Sequence, residues 1–320
     1  MLFLISNTNF GYKNNNKEIL NSMLDYFERV FIPFLEKYSK EGDSVVHLGN
    51  LFCSSQSINI KVLNKVQSIF ERISEICTVH LLVGFNDKYL ESKTNDINTL
   101  KIFKNFKNIN IVEKPTLLNN DTILIPWSKN IIKDLDTKEK IIIFNYDYLN
   151  NDKEIIKETL KGKKVYCGYY NNKRVDDNIT IIGSPYQIGF DDILEKGFFS
   201  IDLEKDKELF VENKTSPRFE KLELKTLDDI KNIDKEFVDK NYVDVILGEN
   251  LMKENKIKLD ILLSKYKFNN IKYEKTEEVL DLKTTDFNIN KILIEYIENI
   301  DNPLLIEEFN NILEIHKKKS

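Results

Sequence analysis

Residues 2–11 read LFLISNTNFG, in which the apolar run Leu2–Ser6 leads directly into a polar turn that holds Asn7 and Asn9. The run predicts a buried strand, and the turn predicts a loop at the carboxyl end of that strand. Ligand sites in α/β proteins gather on loops of this kind. This turn is therefore the first candidate for a functional site.

The pattern alternates beyond this turn. Apolar spacing predicts a helix from Lys17 to Tyr38, kinked at Pro33, and a second helix from Ile58 to Ile76. Strands are predicted at Ser44–Phe52 and Thr78–Val83. Strands alternating with helices indicate a central sheet covered by helices.

The middle of the chain contains shorter, more closely spaced apolar runs. They predict a second sheet that is more antiparallel than the first. The predicted strands lie at 109–113, 121–126, 140–145, 164–167, 179–183, 198–202 and 208–212.

Three domains are predicted, and the first comprises residues 1–213. After a linker at 211–221, residues 221–275 alternate between strand and helix and predict a small α/β module. Residues 285–320 hold two amphipathic helices joined by Asp-Asn-Pro, whose apolar stripes fit either a partner's groove or the chain's own surface. The stripes include Ile292, Tyr296, Leu305, Phe309 and Ile312.

The composition describes a globular protein without an obvious membrane segment. Hydrophobic residues make up 41% and charged residues 31% of the 320 residues, and the net charge is −5. A nucleic-acid contact would need a local basic patch. No leader or long apolar span is evident, so a cytoplasmic or other intracellular location is expected. The absence of alanine is typical of an AT-rich genome, a viral one included.

Seven segments occur in an order and spacing that resemble the SbcD-type nucleases of the calcineurin-like metallophosphoesterase superfamily. The resemblance covers about residues 1–220 and implies a four-layer α/β/β/α sandwich, followed by a small α/β capping module and a C-terminal helical pair. The segments are SNTNFG (6–11), GDSVVHLGNLFCSSQSI (42–58), LVGFNDKY (82–89), IPW (125–127), IFNYDYL (143–149), VYCGYYNNKR (165–174) and IIGSPYQIGF (181–190).

The resemblance implies two manganese ions, held in the family by Asp and His side chains that also activate water. In this chain the general-acid position becomes Asn86, and the ligand positions hold neutral side chains. Neutral oxygens bind hard dications weakly, so no metal cofactor and no catalytic residue are expected. The ligand positions become Asn7, Asn9, Asn50, Phe85, Asn145, Tyr169 and Asn171.

Other roles for these loops remain open. Asp43, Asp87 and Asp147 lie in the same segments and would be the basis of a rearranged metal site. The asparagines are equally compatible with turn and helix capping. His47, His80 and His316 fall on none of the ligand positions.

The resemblance also implies partners. An SbcC-type ATPase would take the helical pair at 285–320, and a homodimer would form through the predicted helices near 17–39 and 58–76. These helices carry an aromatic stripe that would form either the dimer interface or part of the chain's own core. It comprises Tyr26, Phe27, Phe31 and Phe34. DNA contact would fall on Lys163, Lys164, Lys173 and Arg174.

The leading hypothesis is therefore a degenerate SbcD-like subunit, without metal or catalysis, in a DNA repair or recombination complex. The alternative is an active metal-dependent DNA exo- or endonuclease with a rearranged site. A third possibility is a binding or decoy protein without an ATPase partner.

Overall fold

The computed structural model describes residues 1–89, 97–192, 195–252 and 256–273. Its helices are α1 (Tyr12–Asn15), α2 (Lys17–Tyr26), α3 (Ile32–Tyr38), α4 (Ile60–Ile76), α5 (Ile131–Leu135), α6 (Lys153–Thr159), α7 (Leu227–Lys231), α8 (Lys235–Lys240), α9 (Glu249–Met252) and α10 (Lys256–Leu263). A π-helical turn (Phe27–Phe31) and a 3₁₀ helix (Thr99–Phe103) complete the helical elements of this part of the chain.

The strands of the described ranges form three sheets. The first has the order β12-β11-β1-β2-β3-β4, the second β5-β6-β7-β8-β10-β9 and the third β13-β14-β15. The strands are β1 (Leu2–Ile5), β2 (Ser44–His47), β3 (Thr78–Leu82), β4 (Ile109–Val112), β5 (Thr116–Leu117), β6 (Thr122–Ile125), β7 (Ile141–Phe144), β8 (Lys164–Cys167), β9 (Arg174–Asp176), β10 (Ile179–Ile181), β11 (Gly197–Asp202), β12 (Lys207–Glu212), β13 (Phe219–Leu224), β14 (Tyr242–Leu247) and β15 (Asn270–Tyr273).

The first two sheets pack face to face between two helical layers. Along β1, Leu2 and Leu4 enter the core between the sheets, whereas Phe3 and Ile5 enter the core beneath α2, α3 and α4. Successive strand residues point to opposite faces, so a strand buried on both faces is apolar throughout. The second sheet has the same arrangement, with its outer core beneath α5 and α6. The predicted α/β class is confirmed.

The expectation of a more antiparallel second sheet was wrong. Strands β6, β7, β8 and β10 are parallel neighbours, and only the edge strands β5 and β9 of this sheet run antiparallel to them. The short helices α5 and α6 provide the crossovers that parallel strands require. Each helix is too short for its periodicity to be evident, so the connections resembled hairpin turns.

The long helix predicted at 17–38 is interrupted before Pro33. The Ile32 N–H donates to the carbonyl of Phe27, five residues back, within the π-helical turn. Proline has no N–H and its ring crowds the carbonyl four residues earlier, so the wider turn accommodates Pro33 near the start of α3.

The aromatic stripe on these helices is core. Tyr26, Phe27 and Phe31 are at most 1% exposed, and only Phe34 is half-buried. Phe31 packs edge-on against Phe198 of β11 at 4.8 Å between ring centroids. Of the two roles that the sequence left open for this stripe, the structure shows packing within the chain for these three side chains.

The third sheet, β13-β14-β15, is all parallel and has a core of its own with α7 to α10. Phe219 at its start packs in the first core, and Tyr242 stacks on Phe219 at 4.8 Å. Residues 1–273 form one compact unit. The helices predicted in 285–320, and with them Ile292, Tyr296, Leu305, Phe309 and Ile312, lie outside the described residues.

Membrane-spanning helices were not expected. Within the described ranges, no helix combines the length and the apolar character that a membrane span requires.

Candidate functional site

Five loops from the two large sheets meet at one edge of the sandwich. They follow β1, β2 and β3 of the first sheet and β7 and β8 of the second, and the parallel strands bring their carboxyl ends together. The Asn7 N–H donates to the carbonyl of Gly49 at 3.1 Å, and the Asn9 N–H to that of Asn50 at 3.1 Å. The sequence positions that the resemblance marked as metal ligands therefore lie on loops that the fold places side by side.

The backbone is left-handed at four of these positions. The φ angles are 51° at Asn7, 46° at Asn9, 57° at Asn50 and 77° at Tyr169. Asparagine tolerates this region better than other non-glycine residues, whereas a bulky tyrosine there is uncommon. Such backbone strain is concentrated at functional sites.

Two glycines allow the loops to approach closely. A Cβ on Gly84 would lie 2.3 Å from the backbone nitrogen of Asn50, and a Cβ on Gly168 would lie 2.3 Å from the carbonyl oxygen of Leu48. No side chain fits at such distances. Glycine at these two positions therefore lets the loops after β3 and β8 lie against the loop after β2.

Side-chain amides bind the loops to one another. Asn50 Nδ2 donates to Asn7 Oδ1 at 2.9 Å, and Asn7 Nδ2 donates to the carbonyl of Tyr170 at 2.7 Å. The loops after β1, β2 and β8 are thus joined by one chain of hydrogen bonds. Asn7 is fully buried and Asn50 is 4% exposed, so these bonds form away from water.

The same chain of bonds reaches the loop after β3. The Asn86 N–H donates to Asn50 Oδ1 at 3.0 Å, and Asn86 Nδ2 approaches Asn9 Oδ1 at 3.4 Å. Asn9 Nδ2 in turn donates to the carbonyl of Asn7 at 2.9 Å. We call Asn7, Asn9, Asn50 and Asn86 the amide network. An amide offers both a donor and an acceptor, so these four side chains find their partners in one another and in the backbone groups of the same loops.

Asn145 occupies the loop after β7. Its Nδ2 donates to the carbonyl of Leu48 at 2.6 Å, whereas its buried Oδ1 has no hydrogen-bond partner among the described residues. Asn171 contributes its backbone: its carbonyl accepts from the Ser184 N–H at 2.9 Å. The side-chain amide of Asn145 and the main-chain carbonyl of Asn171 therefore hold their loops in place.

At positions 85 and 169 the loops carry aromatic rings, unlike the neighbouring positions that hold asparagine. The centroid of the Phe85 ring lies 6.3 Å from that of Tyr169 and 5.4 Å from that of Trp127. All three side chains are half-buried. Neither a phenyl ring nor a neutral phenol supplies the anionic oxygen that a divalent ion requires.

The acids of these segments do not converge. Asp43 precedes β2, at the opposite end of that strand from Asn50, and pairs with the amino terminus of Met1. Asp147 Oδ1 accepts from the hydroxyl of Tyr170 at 2.8 Å. In the part of the chain that the structure describes, no group of three or more His, Cys, Asp or Glu side chains is placed to hold a metal ion.

Asp87 has a structural role that the sequence did not reveal. Its carboxylate is buried and accepts from the backbone N–H groups of Asn50 at 2.7 Å, Gly84 at 3.0 Å and Phe52 at 3.1 Å. Burial raises the pKa of Asp87 to about 6, and the N–H donors oppose this shift. The carboxylate therefore fastens the loop after β2 to the loop after β3 and has little capacity left for a ligand.

His47 is a core histidine. The Thr8 hydroxyl donates its one hydrogen to the carbonyl of Leu51 at 3.1 Å, so His47 Nε2 must be the donor in its 3.0 Å bond to Thr8 Oγ1. Burial lowers the pKa of His47 to about 3. The neutral ring therefore supports the turn at Thr8.

Lys196 was not identified from the sequence as a residue of the site. It is a buried lysine next to the loop after β8, and its hydrogen bonds organise that loop. Its Nζ donates to the Asn171 carbonyl at 2.6 Å, to Asn172 Oδ1 at 3.1 Å and to Ser184 Oγ at 3.1 Å. Asp192 lies 3.6 Å away. Burial lowers the pKa of Lys196 to about 8, and Asp192 opposes the shift. One lysine among many in this chain gives no sequence signal.

The basic residues proposed for DNA contact, which are Lys163, Lys164, Lys173 and Arg174, lie towards two ends of the second sheet. Lys164 starts β8, whereas Arg174 is level with Cys167 at the end of β8, because both pair with Ile181 of β10. Lys163 donates to the carbonyl of Thr137. The two pairs are therefore separated by the length of the strand, about 10 Å at the usual rise per residue.

Two of these cations are in ion pairs. Lys164 Nζ lies 2.6 Å from carboxylate oxygens of both Asp206 and Glu208. Lys173 Nζ lies 2.8 Å from Glu195. Contact of either lysine with a phosphate would require exchange of these partners, so DNA contact at this patch stays a prediction.

Comparison with known proteins assigns no relative. No protein-family model matches the chain, and no curated protein matches it at a significant level.

We expect Asn50→Asp to destabilise the protein by about 1–3 kcal/mol at neutral pH, because a carboxylate oxygen would replace the donor that faces Asn7 Oδ1. The buried carboxylate should have a raised pKa, so the loss of stability should become smaller as the pH falls and the carboxylate takes up a proton. Urea unfolding at two pH values measures both effects.

The matched control for Asn50→Asp is the same substitution at the exposed Asn105, which should leave stability nearly unchanged. Equal, small effects at the two positions would contradict a stabilising amide network.

The second expectation concerns Lys196. Between about pH 8 and the ordinary lysine value of 10.5, the unfolded chain binds the Lys196 proton and the folded chain releases it. Wild-type stability should therefore rise relative to Lys196→Met as the pH is raised through this window, by about 1–2 kcal/mol from pH 7 to 9.5. Urea unfolding of both proteins gives the difference, and a flat or falling difference would show that the burial cost is absent.

Proposed function

We propose that this protein has a degenerate, SbcD-like metallophosphoesterase fold whose catalytic centre no longer holds metal, and that it serves as a structural or regulatory subunit of a DNA-processing complex. The amide network carries the proposal. At loops where the resemblance implies two dications, the four amides bond to one another and to the loop backbone, and the nearest carboxylate, Asp87, is taken up by three backbone N–H groups.

The backbone of the loops also supports the proposal. Strained left-handed conformations persist at Asn7, Asn9, Asn50 and Tyr169, all of them positions that the resemblance assigns to ligands. Each costs on the order of 1–3 kcal/mol in a non-glycine residue, asparagine less than others. Loops shaped to present ligands, with the ligands replaced, fit descent from an active enzyme.

The layering of the sheets agrees with this proposal as well. Two sheets enclosed by helices, followed by a small parallel module, correspond to the sandwich and the capping module that the resemblance implies. The alternative of an active nuclease built on Asp43, Asp87 and Asp147 gains no support, because the first lies at the far end of β2 and the other two are engaged by hydrogen-bond donors.

The ATPase partner is proposed from the sequence pattern of residues 285–320. Two apolar stripes on neighbouring helices suit a groove on an SbcC-type ATPase. In this complex the protein would position the ATPase or DNA without cutting, and nuclease activity would have to come from another subunit.

The metal-free centre is tested by elemental analysis. Purified protein incubated with Mn²⁺ and then desalted should retain no manganese above a buffer blank, and it should not cleave single- or double-stranded DNA in Mn²⁺. A stoichiometric manganese content, or cleavage that a chelator abolishes, would refute the proposal.

A restored variant serves as the positive control for this measurement. If the register of the resemblance is correct, restoring the family's residues at the seven ligand positions and at the general-acid position should produce manganese retention that wild type lacks. The substitutions are Asn7→Asp, Asn9→His, Asn50→Asp, Phe85→Asn, Asn86→His, Asn145→His, Tyr169→His and Asn171→His.

The partner is tested by co-purification with an SbcC-type ATPase. Tyr296→Asp should abolish co-purification, because it places a charge within the apolar stripe of the first helix. Lys291→Asp introduces the same residue on the opposite helical face and should leave binding intact. Equal binding by both variants would exclude this stripe as the docking surface.

A further inference from the structure

Strand β4 forms one edge of the first sheet. Within the described ranges it pairs with β3 alone and stands at the end of the strand order. The Val79 N–H of β3 donates to the Asn108 carbonyl at 2.8 Å, so residue 108 and every second residue after it face β3. Ile109 and Ile111 therefore direct their N–H and C=O groups to the free side, where an added strand would meet them.

A groove of about 500 Å³ follows this edge. Residues 109–113 all line it, and consecutive strand residues point to opposite faces of a sheet, so the groove runs along the strand itself. One wall includes Lys101 of the 3₁₀ helix (Thr99–Phe103) and Lys104, which follows that helix. Thr116, the first residue of β5 in the second sheet, contributes to the other side.

The groove carries an excess of positive charge. Lys101 and Lys104 are both exposed, and Glu113 is the only carboxylate among the residues that line the groove. The Glu113 carboxylate is already engaged, because Lys101 Nζ lies 3.3 Å from Oε1 and Asn98 Nδ2 donates to the same oxygen at 2.8 Å. Lys104 makes no ion pair with another described residue. Its charge is therefore available to an occupant of the groove.

These features fit an extended peptide with acidic side chains. The outward backbone groups of an edge strand pair with another peptide backbone, for which a nucleic acid has no equivalent. A second copy of this chain fits less well, because pairing β4 with itself would bring two sets of the same lysines to one seam. Lysines beside an edge oppose pairing with an arbitrary strand. A strand that does pair there should supply negative charge.

We propose that β4 accepts an acidic segment of a partner protein as an additional strand of the first sheet. The backbone of the segment pairs with Ile109 and Ile111, and its carboxylates lie beside Lys101 and Lys104. This binding requires no metal, no DNA and no part of residues 285–320. It therefore goes beyond the proposed function, and its test is independent of manganese retention.

Synthetic peptides of about eight residues test the requirement for charge. Full-length protein is titrated with labelled peptides in which valine alternates with glutamate, serine or lysine, and fluorescence anisotropy gives the affinities. The glutamate peptide should bind most tightly and the lysine peptide least, and added salt should weaken binding of the glutamate peptide. Hydrogen exchange followed by mass spectrometry should become slower in the fragment that contains Ile111 when this peptide binds.

Proline substitutions test the backbone pairing. Ile111→Pro removes an outward N–H and leaves the bonds between β3 and β4, because proline is tolerated where the N–H of an edge strand faces away from the sheet. It should weaken binding of the glutamate peptide by at least about tenfold. Glu212→Pro is the matched control on β12, the other edge of this sheet. The Asn213 N–H donates to the Lys196 carbonyl, so the preceding N–H of Glu212 faces outward, and its loss should not change binding.

A charge reversal gives a second variant that leaves the strand untouched. Lys104→Glu should weaken binding of the glutamate peptide about fivefold and strengthen that of the lysine peptide. Lys235→Glu makes the same change in net charge at an exposed position of α8 and should alter neither affinity. Circular dichroism checks that each variant is folded.

The inference is overturned if no peptide binds, if the three peptides bind equally, or if Ile111→Pro and Glu212→Pro have equal effects. It is also overturned if Lys104→Glu leaves the order of affinities unchanged. Exchange at Ile111 that slows with rising protein concentration, in the absence of peptide, would instead assign this edge to a second copy of the chain.

Discussion

The hydrogen bond between the side chains of Asn50 and Asn7 is the contact on which the loop region depends. It joins the loops after β1 and β2 in a buried setting, and the bonds from Asn7 to Tyr170 and from Asn86 to Asn50 extend it to the loops after β8 and β3. Carboxylates at the same positions would repel one another and would need cations between them. Amides remove both the repulsion and the requirement for a cation.

The arrangement of the loops does not depend on the amide network alone. The loops also contribute to the apolar cores: Phe10 and Phe52 lie in the core beneath α2, α3 and α4, and Tyr148 lies in the core beneath α5 and α6. Asp87 also stabilises the loops. Its carboxylate accepts hydrogen bonds from the N–H groups of Asn50, Phe52 and Gly84, which would otherwise be unsatisfied. Hydrogen bonds from backbone and side-chain amides therefore maintain the arrangement of the loops, together with the apolar side chains that the loops contribute to the cores.

The sequence predicted β1, β2, β3 and α4, because the strands are apolar runs and the helix has a clear period. Strands β4, β11 and β12 were predicted as strands but grouped with the second sheet, whereas they belong to the first. Helices α5 and α6 were not predicted, because each is too short to show a helical period. The parallel order of the second sheet was missed for this reason. At the site, the segments were found from residue order. The hydrogen-bond donors and acceptors were not predicted, because Asn50 lies 43 residues from Asn7 and 37 residues from Asp87 in the chain.

Lys196 is a further residue whose role in the site could not be predicted from the sequence. Its three hydrogen bonds hold the loop after β8 in place, yet lysine is so common in this chain that one more carries no information. Phe85 and Tyr169 show a limit of another kind, because their rings lie 6.3 Å apart across the loops after β3 and β8 although 84 residues (169 − 85) separate them in the chain.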